Sequence, residues 1–161
     1  MFKLARMGLL VAPFFLLSQT SKPSDEHAIH GVVDQFMDGW NRHDAKAFAA
    51  VFSEDADFTN WRGEGASGRA KIEELHALVF ATVFSKSHQE ATTVKSRFIR
   101  PDVAAVDVRW KMTGVLDRQG NPRPDREGLL SFVMTKNAAG WEIVVMHNLD
   151  ISALPPLPNS K

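Results

Sequence analysis

The residues able to do chemistry in this chain are few. It has 6 histidines, no cysteine and no tyrosine. Without a thiol, cysteine nucleophiles, thiolate metal sites and disulfides are excluded. An imidazole can take or give a proton near neutral pH, and a carboxylate beside it fixes its tautomer and raises its pKa. His76 is the clearest candidate. It lies in "GRAKIEELHALVF" among Ile72, Leu75, Val79, Phe80 and Val83 at helical spacing, so a helix that buries this face turns His76 inward. There it is either a ligand contact and general base, or a core histidine satisfied by a backbone carbonyl. A second polar group ends the stretch "IVVMHNLDI", where His147, Asn148 and Asp150 follow an apolar run. Strand periodicity puts Ile143, Val145, His147 and Leu149 on one face and Val144, Met146, Asn148 and Asp150 on the other. Both faces begin apolar, so periodicity alone does not say which looks inward. A metal would need His76, His147 and Asp57 to converge; no ligand-spacing motif joins them, and no metal is assigned.

These residues need elements to hold them. Ser24 reads as an N-cap, and Ile29, Val32, Val33, Phe36, Met37 and Trp40 recur at helical spacing, predicting a helix over about 25–41. Asp44 caps a short second helix, "AKAFAAVF". "DADFTNW" reads as a strand, "RGEGASG" as a loop, and Ser67 as the cap of a third helix from Gly68 to about Phe84. The period then changes to two, predicting strands near 90–99, 103–116, 127–136 and 141–151. Trp110 shares a face with Ala104, Val106, Val108 and Met112, opposite Asp107, Arg109 and Lys111, and so points to the interior. Helices followed by antiparallel strands give an α+β domain.

The chain of 161 residues suffices for one core, and its 19 basic and 19 acidic residues cancel. No basic stripe marks a nucleic-acid surface. Lys3 and Arg6 precede an apolar run from Met7 to Leu17, the pattern of a secretory signal over 1–20 and too short for a comfortable span. The expected domains are that leader, a domain over 21–151 and a loop or disordered tail over 152–161. The expected location is periplasmic or secreted, with no membrane span after leader removal.

Three segments, "FMDGWNRHDAKAFAAVFSEDADFTN", "GRAKIEELHALVF" and "RPDVAAVDVRW…GLLSFVMTKNAAGWEIVVMHN", resemble the nuclear-transport-factor-2-like, or SnoaL-like, superfamily. The resemblance implies a cone: helices packed on a curved antiparallel sheet enclosing a cup. It is similar to ketosteroid isomerase and to the hub domain of calmodulin-dependent kinases. By that likeness Met146 and Asn148 face the cup, which turns Asp150 inward with them, and His147 lies outside with Trp141, Ile143 and Val145. The isomerase's catalytic positions match Asn60, which cannot act as a base, and Phe132, which cannot donate to an oxyanion; its tyrosine has no counterpart. A steroid-isomerase mechanism is therefore rejected.

The expected function is binding of a small, largely apolar molecule in the cup, with proton transfer of the isomerisation or dehydration type. His76 and Asp150 are the catalytic candidates, paired as acid and base; Phe58, Asn60, Trp110, Phe132, Met146 and Asn148 are the ligand contacts. The alternative is a noncatalytic secreted assembly module. A homodimer through the outer sheet face is expected, on Trp141, Ile143 and Val145. Some relatives carry an oxidoreductase label, but no nicotinamide or flavin fingerprint appears and no cofactor is assigned.

Overall fold

The structure, a computed structural model, describes residues 23–152. The expected leader, 1–20, lies outside the described residues, as does the expected tail beyond Ser152. Helix α1 (Pro23–Asn41) begins with Asp25 and Glu26 in its first turn and buries Ile29, Val33, Phe36 and Trp40 along one stripe. Helix α2 (Ala45–Ala49) starts where the Asp44 carboxylate accepts from Ala47 N–H at 2.9 Å. Strand β1 (Phe52–Thr59) follows, then β2 (Gly65–Ser67), helix α3 (Arg69–Phe80), and strands β3 (His88–Arg100), β4 (Val103–Thr113), β5 (Arg126–Asn137) and β6 (Gly140–Asp150).

One six-stranded sheet runs in the order β2-β1-β6-β5-β4-β3. It is antiparallel except that β1 lies parallel to β6. Helix α1 packs on β3 and β6, while α3 packs on β1 and β2. The helices cover one sheet face, as the α+β pattern requires. Strand β2 was expected as loop; its 3 residues carry no periodic signal, and pairing with β1 alone makes them a strand. Ser67 does not cap α3. Its hydroxyl donates to Asp57 at 2.7 Å, and Gly68 takes the cap position with no side-chain bond.

Bulges bend the sheet. The one that matters most lies in β6. Val133 pairs with Val145 but Met134 pairs with Ile143, so Val144 is an extra residue without a partner. Beyond it the faces change over. Trp141 and Ile143 are buried with Met146, and Trp141 packs on Phe98 while its indole N–H donates to Asp25 at 3.2 Å. The expectation that Trp141 and Ile143 share the outer face with Val145 and His147 is therefore corrected: that alternation assumed an unbroken strand.

The core is dominated by rings. Phe36, Phe48, Phe52 and Phe132 are fully buried, with Phe36 within 5.5 Å of Phe132 and 4.6 Å of Phe48. The segment "WNRHD" ties α1 to β3. Trp40 Nε1 donates to Ser87 Oγ at 3.0 Å. The Asn41 side chain bonds both N–H and C=O of Gln89, at 2.7 and 2.9 Å.

Candidate functional site

Between α1, α3 and the inner sheet face lies a small cup of about 70 Å³. Phe36 and Trp40 line it from α1, Leu75, His76 and Val79 from α3, Phe58 from β1, Gln89 from β3, Trp110 and Met112 from β4, and Met146 and Asn148 from β6. It adjoins a wide cleft of about 1230 Å³, sharing Asn60, Trp61, Val79, Phe84 and Arg126 as common wall. The cleft continues along the loop from Val115 to Asp125 and ends at Asp150 and Ser152.

The helical face that placed His76 among apolar neighbours does turn it inward: it is 3% exposed. Its ring lies 4.0 Å from that of Phe48 and 5.0 Å, edge-on, from that of Phe58. Nδ1 is 2.7 Å from the carbonyl of Ile72, one turn back, an oxygen that can only accept. The proton therefore sits on Nδ1, and Nε2 carries the lone pair. Burial, opposed by the bond to Ile72, pushes the pKa down to about 4. At neutral pH His76 is an uncharged base with its tautomer set by its own helix.

The expected acid–base pair of His76 with Asp150 is not formed. Asp150 lines the cleft, not the cup. Its carboxylate bonds Arg126 Nη2 and Nε at 2.6 and 2.8 Å and accepts from Ser152 N–H at 2.9 Å. Burial pushes that carboxyl up, but the bonds from Ser152 and Arg126 outweigh it, and the net shift is below the usual carboxylate range. Arg126 also lies over the Trp61 ring at 4.8 Å. Trp61, Arg126 and Asp150 thus form a charged, ring-covered mouth.

Trp110 and Asn148 meet: indole Nε1 donates to Asn148 Oδ1 at 3.2 Å. The amide's donor end is left for something else. Gly128 makes this possible. It pairs with Trp110, and a Cβ there would sit 2.3 Å from the indole and 2.1 Å from the Leu149 carbonyl. Phe58 and Met146 line the cup as expected. Phe132 does not; it is 2% exposed and packs beneath, against Phe36. Asn60 borders both spaces, but its amide is consumed by the loop. Oδ1 accepts from Arg62 and Glu64 N–H at 2.8 and 3.1 Å, and Nδ2 donates to Glu64 at 3.0 Å. His147 is exposed on the outer face. Among the described residues no group of three or more His, Asp or Glu side chains could hold a metal, and no helix is long and apolar enough to cross a membrane.

Sequence reasoning passed over Trp61, Arg126 and Gln89. Gln89 had a signal: it lies two residues before Ala91 in a period-two strand whose start was placed too late. Arg126 opens β5 in period with Gly128 and Leu130, one residue before the expected start of that strand, and Trp61 had no signal, since only the turn after β1 brings it there.

A comparison with curated proteins finds no match. Among solved structures, a domain of unknown function with a cystatin-like fold from Nostoc punctiforme is 31% identical, with TM-score 0.70 over 80% of this chain and 78% of that one. A candidate scytalone dehydratase from Novosphingobium aromaticivorans aligns at 18% identity and TM-score 0.67, over 79% and 84% of the two chains. A candidate association domain of calcium/calmodulin dependent protein kinase II from Xanthomonas campestris aligns at 17% identity and TM-score 0.66, over 84% and 95%. The last two show the fold alone. Residues 33–147, which carry α1 through to the cup-lining end of β6, match the SnoaL-like domain, and the chain belongs to that family.

Proposed function

We propose that this protein binds a small, largely apolar molecule with one end in the cup and the rest in the adjoining cleft, and that His76 Nε2 accepts a proton from it. The observation that carries this is His76 itself: a buried, uncharged imidazole with Nδ1 committed to Ile72 and its lone pair left on Nε2, lining a largely apolar space. Such a base suits isomerisation or dehydration, where a proton moves between carbon and oxygen. Asn148 Nδ2 is placed to donate to an oxygen on which charge develops. Asp150 would act at the mouth by holding Arg126, not on His76. The name carried by the Novosphingobium structure fits this class but is that protein's own. The cup's size decides the pose. Ligand pockets run to roughly 300–1,000 Å³, so a molecule of that scale cannot be enclosed in about 70 Å³ and must extend outward past Trp61.

The test pairs thermal melts with ligand titration on His76→Ala and Asn148→Ala. A site role predicts weakened binding or turnover in both. Lost stability with unchanged affinity would leave His76 as core and defeat the reading.

A second reading, an assembly module, draws on the outer sheet face. Leu129 pairs with Leu149 and Val133 with Val145 there, flanking Ser131 and His147, and Leu149 is 52% exposed. We propose a homodimer through this stripe, in place of the Trp141 and Ile143 contacts that the bulge withdraws. Light scattering at micromolar concentration should give twice the chain mass, and Leu149→Lys should halve it. Export with removal of residues 1–20 is likewise proposed, on Lys3, Arg6 and the apolar run; an intact Met1 on protein from the native host would refute it.

A further inference from the structure

Gln89 is 2% exposed, yet its Oε1 has no hydrogen-bond partner among the described residues. A buried acceptor left without a donor is costly, so it calls for an explanation. Slack in the backbone is not one. Asn41 clamps both main-chain groups of Gln89. Its register partner is Met112, a buried residue of the inner face, and both line the cup. The backbone is therefore fixed, and the side chain it carries lines the cup.

The neighbouring groups narrow what can approach it. His76 has its proton on Nδ1 toward Ile72, so Nε2 is a second acceptor. The Trp110 N–H is spent on Asn148, and the Arg126 guanidinium is held by Asp150. The remaining donors are Gln89's own Nε2, which cannot serve its own Oε1, and Asn148 Nδ2 on β6, which β4 and β5 separate from β3. At Oε1 an anion would meet an acceptor, a cation would find no carboxylate in the cup lining, and a hydrocarbon end would leave the oxygen orphaned.

We propose that Gln89 anchors the ligand, accepting a hydrogen bond from a hydroxyl or N–H at the buried end of an uncharged molecule. This rests on the cup reading given above. It makes the site selective as well as apolar: a site whose polar group needs a partner rejects the analogue that lacks one.

The test titrates 2-naphthol and 2-methylnaphthalene, which differ by hydroxyl for methyl, into the full chain, following the Trp110 indole N–H by NMR. The wild type should prefer 2-naphthol by about tenfold or more. Gln89→Leu should melt higher, because the orphan acceptor is gone, and should lose the preference while keeping its affinity for 2-methylnaphthalene. Gln89→Met serves if the leucine variant does not fold. Equal wild-type affinities, or a preference that survives in the variant, overturn the assignment and leave the cup reading standing. A higher melting temperature with both affinities unchanged also overturns it, the acceptor then serving a trapped water. Binding of neither probe defeats the cup reading and this inference together.

Discussion

The inner end of the site and its mouth solve the same problem in opposite ways. Each must keep polar groups where little water reaches. The inner end does it by neutrality. His76 gives up its charge to burial, the Trp110 N–H is met by Asn148 Oδ1, and rings surround the imidazole. The mouth does it by pairing. Arg126 and Asp150, with side chains only 13% and 14% exposed, keep their charges and cancel them, and Trp61 shields the guanidinium. A neutral group in a dry site tolerates an apolar ligand beside it; a matched ion pair tolerates water. The polarity gradient thus runs from uncharged depth to charged rim, the order that the proposed binding of a largely apolar molecule calls for.

The contrast can be broken most severely at the inner end. His76→Ala should lower stability by about 2–4 kcal/mol in chemical denaturation, since it opens a cavity among Phe48, Phe58 and Phe80 and orphans the Ile72 carbonyl. Acid separates the two ends without mutation. Unfolded, His76 titrates near its ordinary 6.5; folded, at about 4. Between those values the unfolded chain binds more protons. The contribution of neutral burial is therefore complete above pH ~6.5 and falls away toward pH ~4, by roughly 3 kcal/mol. Melts of His76→Phe should be flatter across that window. The mouth answers in a lower one: the depressed Asp150 carboxyl contributes above the ordinary carboxylate range and loses its contribution as pH falls through its folded value.

At the mouth, Arg126→Ala leaves a partly buried carboxylate without its cation. A loss of about 1–3 kcal/mol is expected, and the Asp150→Asn background should recover much of it in a double-mutant cycle. Gly128→Ala connects the two ends. Its methyl would drive the indole off Asn148, costing about 1–3 kcal/mol and shifting the Trp110 N–H resonance. Trp61→Ala should change stability least, within ~0.5 kcal/mol for a residue 47% exposed, while speeding ligand release.

The helices and strands were legible in the sequence because their apolar periods are long and clean; α1, α3 and β4 point the faces that spacing predicts. His76, Trp110, Met146 and Asn148 reached the cup for the same reason or through the family likeness. The failures share one cause: they depend on what is opposite, not on what is adjacent. Asp150 was matched to a histidine, but its partner is an arginine across a strand pair. Asn60 occupies the expected strand end, yet a local turn claims its amide. Phe132 faces inward but is roofed by Phe36. Charge pairing and loop closure leave no period to read.

The unpartnered Val144 has an implication for how this strand can change. It acts as a phase shifter between two segments of one strand, so the core end and the site end keep separate reading frames. Substitutions near Trp141 and Ile143 are judged by packing alone, those near Met146 and Asn148 by the ligand. A single-residue deletion at Val144 would bring the frames into step, and Ile143, Met146 and Asn148 would alternate on one face of a regular strand. The residues that line the cup would keep their side of the sheet, and the local bend made by the bulge would be lost. The extra residue thus shapes the wall around the cup without choosing which side chains enter it.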